Sequence, residues 1–108
     1  MCQYDNMLID NFYDWILTLI ISGNCELEIK KVNFEKNIDC SLKKTLIIDI
    51  TNNQYIGKFI IWDDNSCFLE ILEIDSGKNI LHERFEFNSL SELKSKYKTY
   101  LIKMENGK

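Results

Sequence analysis

The chain has 108 residues, no proline, four glycines and 45% hydrophobic residues, enough for one core but not two, so residues 1–108 are read as a single domain. Seventeen acidic residues against 13 basic ones leave a formal net charge of −4, which opposes nonspecific attraction to phosphate backbones and favours a basic partner. The apolar runs near the amino end, "WIL" and "LII", are separated by Thr18 and fall far short of the roughly 20 residues that cross a bilayer, which excludes a transmembrane helix there.

The opening "MCQYDNMLIDNFYDW" places Asp5, Asp10 and Asp14 where a secretory signal needs basic residues and a small-residue cleavage site, so the expected location is the cytoplasm. Residues 6–22 set Leu8, Phe12, Trp15, Ile16 and Leu19 at helical spacing, which predicts a core-facing helix capped by Asp5 and stopped by Gly23. "CELEIKKVNF" alternates Cys25, Leu27 and Ile29 with charged residues, then changes phase to Val32 and Phe34. A strand with a bulge near Lys31 explains that slip, because one extra residue exchanges the two faces.

"EKNIDCSLKK" has no clear period and is read as a loop, whereas "TLIIDIT" is a strand rich in β-branched residues, followed by a turn at Asn52 and Asn53. "YIGKFIIWD" and "CFLEILEID" are two further strands, joined through Asn65, which tolerates the positive φ of a tight hairpin. "DSGK" turns the next hairpin, with Gly77 in the left-handed position, into "NILHERFEF", where Leu81, Glu83, Phe85 and Phe87 alternate with the opposite face. Ser89 and Glu92 have capping-box spacing ahead of a last helix that carries Leu90, Leu93, Tyr97, Tyr100, Leu101 and Met104 on one face and lysines around it.

The expected fold is therefore α+β: a helix, a meander of four or five antiparallel strands and a second helix, with both helices on one sheet face. The other face is left to water or to a partner.

Little in the chain is equipped for catalysis. Four cysteines, Cys2, Cys25, Cys40 and Cys67, form no C-x-x-C pair and are read as reduced thiols, and His82 is the one histidine, so neither a metal nor a cofactor is expected. Phosphate-binding glycine loops and the G-x-S-x-G elbow do not occur. The charge is uneven instead: residues 63–86 carry seven carboxylates against Lys78 and Arg84, a net −5. A solvated strand face that discourages edge aggregation is the plain explanation, and a docking surface for a cationic macromolecule is the functional one. The candidate docking residues are Asp63, Asp64, Glu70, Glu73, Asp75 and Glu83, with Trp62 or Phe68 as an apolar anchor.

The order "GKFIIW", a short turn, "CFLEILEIDSGKNIL" and "FNSLSELKSKYKTYL" resembles the TriTu-type immunity proteins of bacterial polymorphic toxin and contact-dependent growth inhibition systems. The likeness runs from Gly57 to Leu101 and reaches back more weakly to "FYDWIL"; in the turn after Trp62, Asn65 stands where glycine is the family expectation. The resemblance implies a cytoplasmic, non-enzymatic protein that binds the carboxy-terminal domain of one cognate toxin, expected to be a basic nuclease, without contacting nucleic acid or membrane itself. Monomer and homodimer both stay open. The rival reading from the residues alone is a small cytoplasmic enzyme or a nucleic-acid accessory factor.

Overall fold

The computed structural model describes residues 7–19, 25–32 and 44–106. Helix α1 (Met7–Ile16) precedes strands β1 (Glu26–Val32), β2 (Thr45–Thr51), β3 (Tyr55–Trp62), β4 (Ser66–Glu73) and β5 (Asn79–Glu86), and helix α2 (Leu90–Asn106) closes the chain. The five strands form one antiparallel sheet in the order β1-β2-β3-β4-β5, so every strand pairs with its neighbour in sequence. The expected α+β meander with two helices is the fold found, with five strands.

Both helices cover the same sheet face. Ile9, Phe12 and Ile16 of α1 and Leu93, Tyr97, Tyr100 and Met104 of α2 are buried against Leu46, Ile48 and Ile50 of β2, Phe59 and Ile61 of β3, and Cys67, Leu69 and Ile71 of β4. Their aromatic rings meet at the centre: Tyr97 is edge-on to both Phe12 and Phe59, with centroids 5.5 and 5.2 Å away. Helix α2 approaches β3 over Gly57. A Cβ placed there would lie 2.2 Å from Tyr100 Oη and 2.6 Å from Met104 Sδ, so the absence of a side chain sets the depth of the helix.

The turns follow their residues. Asn65 has φ 67° and Gly77 φ 69°, as the two hairpins require. Asn52 Oδ1 accepts from the amides of Gln54 and Tyr55 at 2.9 and 2.7 Å, and its Nδ2 donates to the Met104 carbonyl at 2.8 Å. That one side chain shapes the β2–β3 turn and fixes it to the last turns of α2. At the start of α2, the Glu92 amide donates to Ser89 Oγ, but the Glu92 carboxylate accepts from the Asn88 amide, one residue earlier than a capping box places it.

Two expectations need correction. Helix α1 ends at Ile16 rather than near residue 22, because the amide and hydroxyl of Thr18 both donate to the Trp15 carbonyl, at 2.9 and 2.6 Å, and tighten the chain into a turn. The expected cap at Asp5 and stop at Gly23 lie outside the described residues, as do Phe34 and the loop at 35–43. Strand β1 has no bulge at Lys31: it pairs with β2 in one register from Glu26 to Val32. Lys31 keeps a place on the helix-side face by laying its ammonium 4.7 Å from the centre of the Tyr13 ring, so an amphipathic side chain breaks the pattern and the backbone does not. The irregularity is in β5, where Ile71 pairs with Leu81 but Leu72 with Asn79, leaving Ile80 as the extra residue.

Candidate functional site

Among the described residues, no helix lies on the sheet's second face. Its composition follows from the register, since residues directly opposite on paired strands share a face. One row runs Lys30, Ile47, Ile60, Phe68, Arg84; the next runs Glu28, Asp49, Lys58, Glu70, His82. Trp62 and Thr45 flank the first row, and Ile56 and Leu72 extend the second. The face is thus an apolar stripe of Ile47, Ile60, Phe68 and Trp62, all half-buried, beside a charged row in which acids outnumber bases. The whole face holds Glu26, Glu28, Asp49, Glu70 and Glu86 against Lys30, Lys58 and Arg84.

Packing steadies this surface. The Arg84 guanidinium lies 5.8 Å from the centre of the Trp62 ring, and His82 meets Phe68 edge-on at 5.0 Å. Aromatic rings held in this way lose little conformational freedom on contact with a partner, which is what interface anchors need. Trp62 is not part of the buried cluster.

The expected docking residues do not converge on one patch. Trp62, Phe68 and Glu70 share the open face. Asp63 and Asp64 sit in the turn after β3 and serve the backbone there: Asp63 Oδ2 accepts from the Lys44 amide at 3.0 Å, and Asp64 Oδ1 accepts from the Ser66 amide and hydroxyl. Asp75 lies in the turn at the far end of β4, where Glu73 accepts from the Ser76 hydroxyl at 2.6 Å. Glu83 points to the helix side and is ion-paired with Lys96 of α2. Linear charge density joined residues that the fold sends to two faces and two ends.

Sequence reasoning did not name Ile47, Ile60, Asp49 or Glu28, which complete the open face around Phe68 and Glu70. Parity from Trp62 carries the signal for Ile60. For β2 the alternation in "TLIIDIT" carries it, with Leu46, Ile48 and Ile50 on one face and Thr45, Ile47, Asp49 and Thr51 on the other.

The helix layer has the opposite character. Lys94 and Lys98 of α2 approach the Trp15 ring at 5.2 and 5.9 Å, and Lys103 lies a turn beyond. Among the described residues, no three His, Cys, Asp or Glu side chains are grouped to hold a metal ion, and no helix is long and apolar enough to cross a membrane. Cys67 is fully buried, and burial pushes its thiol up to about 12, far from the range of a thiolate nucleophile.

A family model described as "Immunity protein TriTu" matches residues 10–103. The chain belongs to the TriTu family of immunity proteins. A search of curated proteins found no match. The matched span of this TriTu protein includes most of α1, all five strands and most of α2, and so takes in both the buried face and the open one. Within "GKFIIW" the two ends have separate jobs: Gly57 admits Tyr100 on the helix side, while Trp62 stands on the open face. Family membership supports an immunity role and a cognate toxin protein as the partner.

Proposed function

We propose that this TriTu protein neutralises its toxin by direct contact, seating the helix-free sheet face on a cationic surface of the toxin domain. The observation that carries the reading is the pairing, on that one face, of a packed apolar stripe (Ile47, Ile60, Phe68, Trp62) with the carboxylates of Asp49, Glu70 and Glu28. The stripe supplies the desolvated anchor, and the acids speed encounter and choose the partner. A nuclease of a contact-dependent growth inhibition or related polymorphic toxin system fits best, because a site that draws in phosphate must be basic and the acidic face is its complement. Such a nuclease acts in the cytoplasm, and its inhibitor belongs there too. Asp63 and Asp64 lie beside Trp62 at the rim of this surface, whereas Glu73, Asp75 and Glu83 fall outside it. The inhibitor performs no chemistry in this scheme.

The test is co-expression with a candidate cognate toxin domain, sought in the reading frame next to this protein's gene, scored for growth rescue and for co-purification. We expect both. Rescue with no complex, together with turnover of a small molecule by the purified chain, would replace the binding mechanism with an enzymatic antidote.

A further inference from the structure

We propose that β1 is the seam of a homodimer, in which a second copy of this chain pairs antiparallel with it in the register centred on Ile29. The inference is independent of the toxin-binding face. Among the described residues, strand β1 is one of the two edges of the sheet, so alternate N–H and C=O groups along its seven residues point away from β2.

The side chains select both the partner and the register. About a two-fold axis normal to the sheet, residues that meet across the seam must lie on the same face, so the symmetric registers are those centred on a residue. Centring on Glu28 sets that carboxylate against its own copy, and centring on Lys30 does the same with an ammonium. Centring on Ile29 instead places Glu28 opposite Lys30 of the second copy, twice over. On the helix side it pairs Ile29 with its mate and Leu27 with the Lys31 stem; on the open side it pairs Glu26 with Val32.

Each of these groups has surface left to bury. The Glu28 and Lys30 side chains are 66% and 56% exposed, and within one chain they reach each other only at 3.8 Å. Leu27 and Val32 are both exposed large apolar residues. The opposite edge, β5, does not share this property: its central registers set His82, Glu83 or Arg84 against itself. Self-pairing is therefore favoured at one edge and opposed at the other, so association closes at two copies and does not run on into a fibre.

Sedimentation of the full chain between about 10 μM and about 1 mM should show the mass rising from 12.8 kDa toward twice that value. Glu28→Lys and Lys30→Glu should each weaken self-association roughly tenfold or more, because either change creates two like-charge pairs across the seam. The two single variants mixed together should form a heterodimer, since each supplies the charge the other lacks, and the doubly reversed chain should self-associate as the parent does. Circular dichroism confirms that each variant is folded. A single-chain mass at about 1 mM overturns the proposal. So does a dimer that ignores both reversals, or a parent that stays monomeric while the same reversals weaken toxin binding, which would give the edge to a toxin strand.

Discussion

Replacing Gly57 with alanine would add one methyl group at the point where α2 comes nearest to β3. That carbon falls 2.2 Å from Tyr100 Oη, 2.6 Å from Met104 Sδ and 3.0 Å from Tyr100 Cζ, all well inside van der Waals contact. The methionine sulfur can swing aside. The tyrosine cannot, because its ring is 1% exposed and wedged against Phe59 and Tyr97, with centroids 5.3 and 5.9 Å away. The helix must shift or the ring must leave its rotamer, a loss of about 1–3 kcal/mol of the kind overpacked cores show. In a domain of this size that is a fall in Tm of roughly 4–20 °C.

Tyr100 supplies the control. Its hydroxyl, like that of Tyr97, is buried with no hydrogen-bond partner among the described residues, so Tyr100→Phe removes a desolvated polar group together with the closest clashing atom. Tyr100→Phe alone should be neutral or stabilising, and combined with Gly57→Ala it should restore part of the lost stability, a coupling that thermal and urea unfolding can measure in a double-mutant cycle. If Gly57→Ala matches the parent in Tm, or if Tyr100→Phe costs as much as Gly57→Ala, the close approach of α2 to β3 is not what Gly57 serves.

Alkaline unfolding should set in early. Burial raises Cys67 from 9.0 to about 12 and raises Tyr97 and Tyr100 above their ordinary 10.0. Above those ordinary values the unfolded chain releases protons that the folded chain retains, so stability should fall with pH from near 9, with each group adding up to about 1.4 kcal/mol per pH unit; urea midpoints unchanged between pH 9 and 11 would contradict this. Asn52→Ala should cost about 1–3 kcal/mol, since it strips the β2–β3 turn of its acceptor and the Met104 carbonyl of its donor, and chemical denaturation reads the loss. Glu83→Gln breaks the ion pair with Lys96, whose partners are 40% and 25% exposed, so a loss of less than about 1 kcal/mol is expected, with toxin affinity unchanged in a titration.

The elements were legible wherever one residue type has one local solution. "TLIIDIT" became β2 as bounded, and Asn65 and Gly77 took the positive φ that their hairpins require. The apolar face of α2 was readable because Leu93, Tyr97, Tyr100 and Met104 keep helical spacing without interruption. The end of α1 was not, because a threonine hydroxyl taking the Trp15 carbonyl is a local choice that hydrophobic periodicity cannot see. Lys31 misled in a related way, since a long side chain that lies on Tyr13 reads as polar in a strand pattern. The surface was the hardest to read. Carboxylates within 25 residues of one another looked like one patch, yet Asp64 is bound to Ser66, Glu83 faces α2, and Glu70 alone among the strand acids named joins Trp62 and Phe68 on the open face. Facing depends on register, and register belongs to pairs of strands.

The most direct measurement is the affinity of the purified chain for its toxin domain, compared between an open-face variant, Trp62→Ala with Phe68→Ala, and a helix-layer variant, Leu17→Ser with Ile102→Ser, whose residues are 59% and 56% exposed. We expect the open-face pair to weaken binding by at least about 30-fold and the helix-layer pair to leave it unchanged. Full affinity in the open-face variant, or a loss confined to the helix-layer variant, would place the toxin on the other side of the molecule.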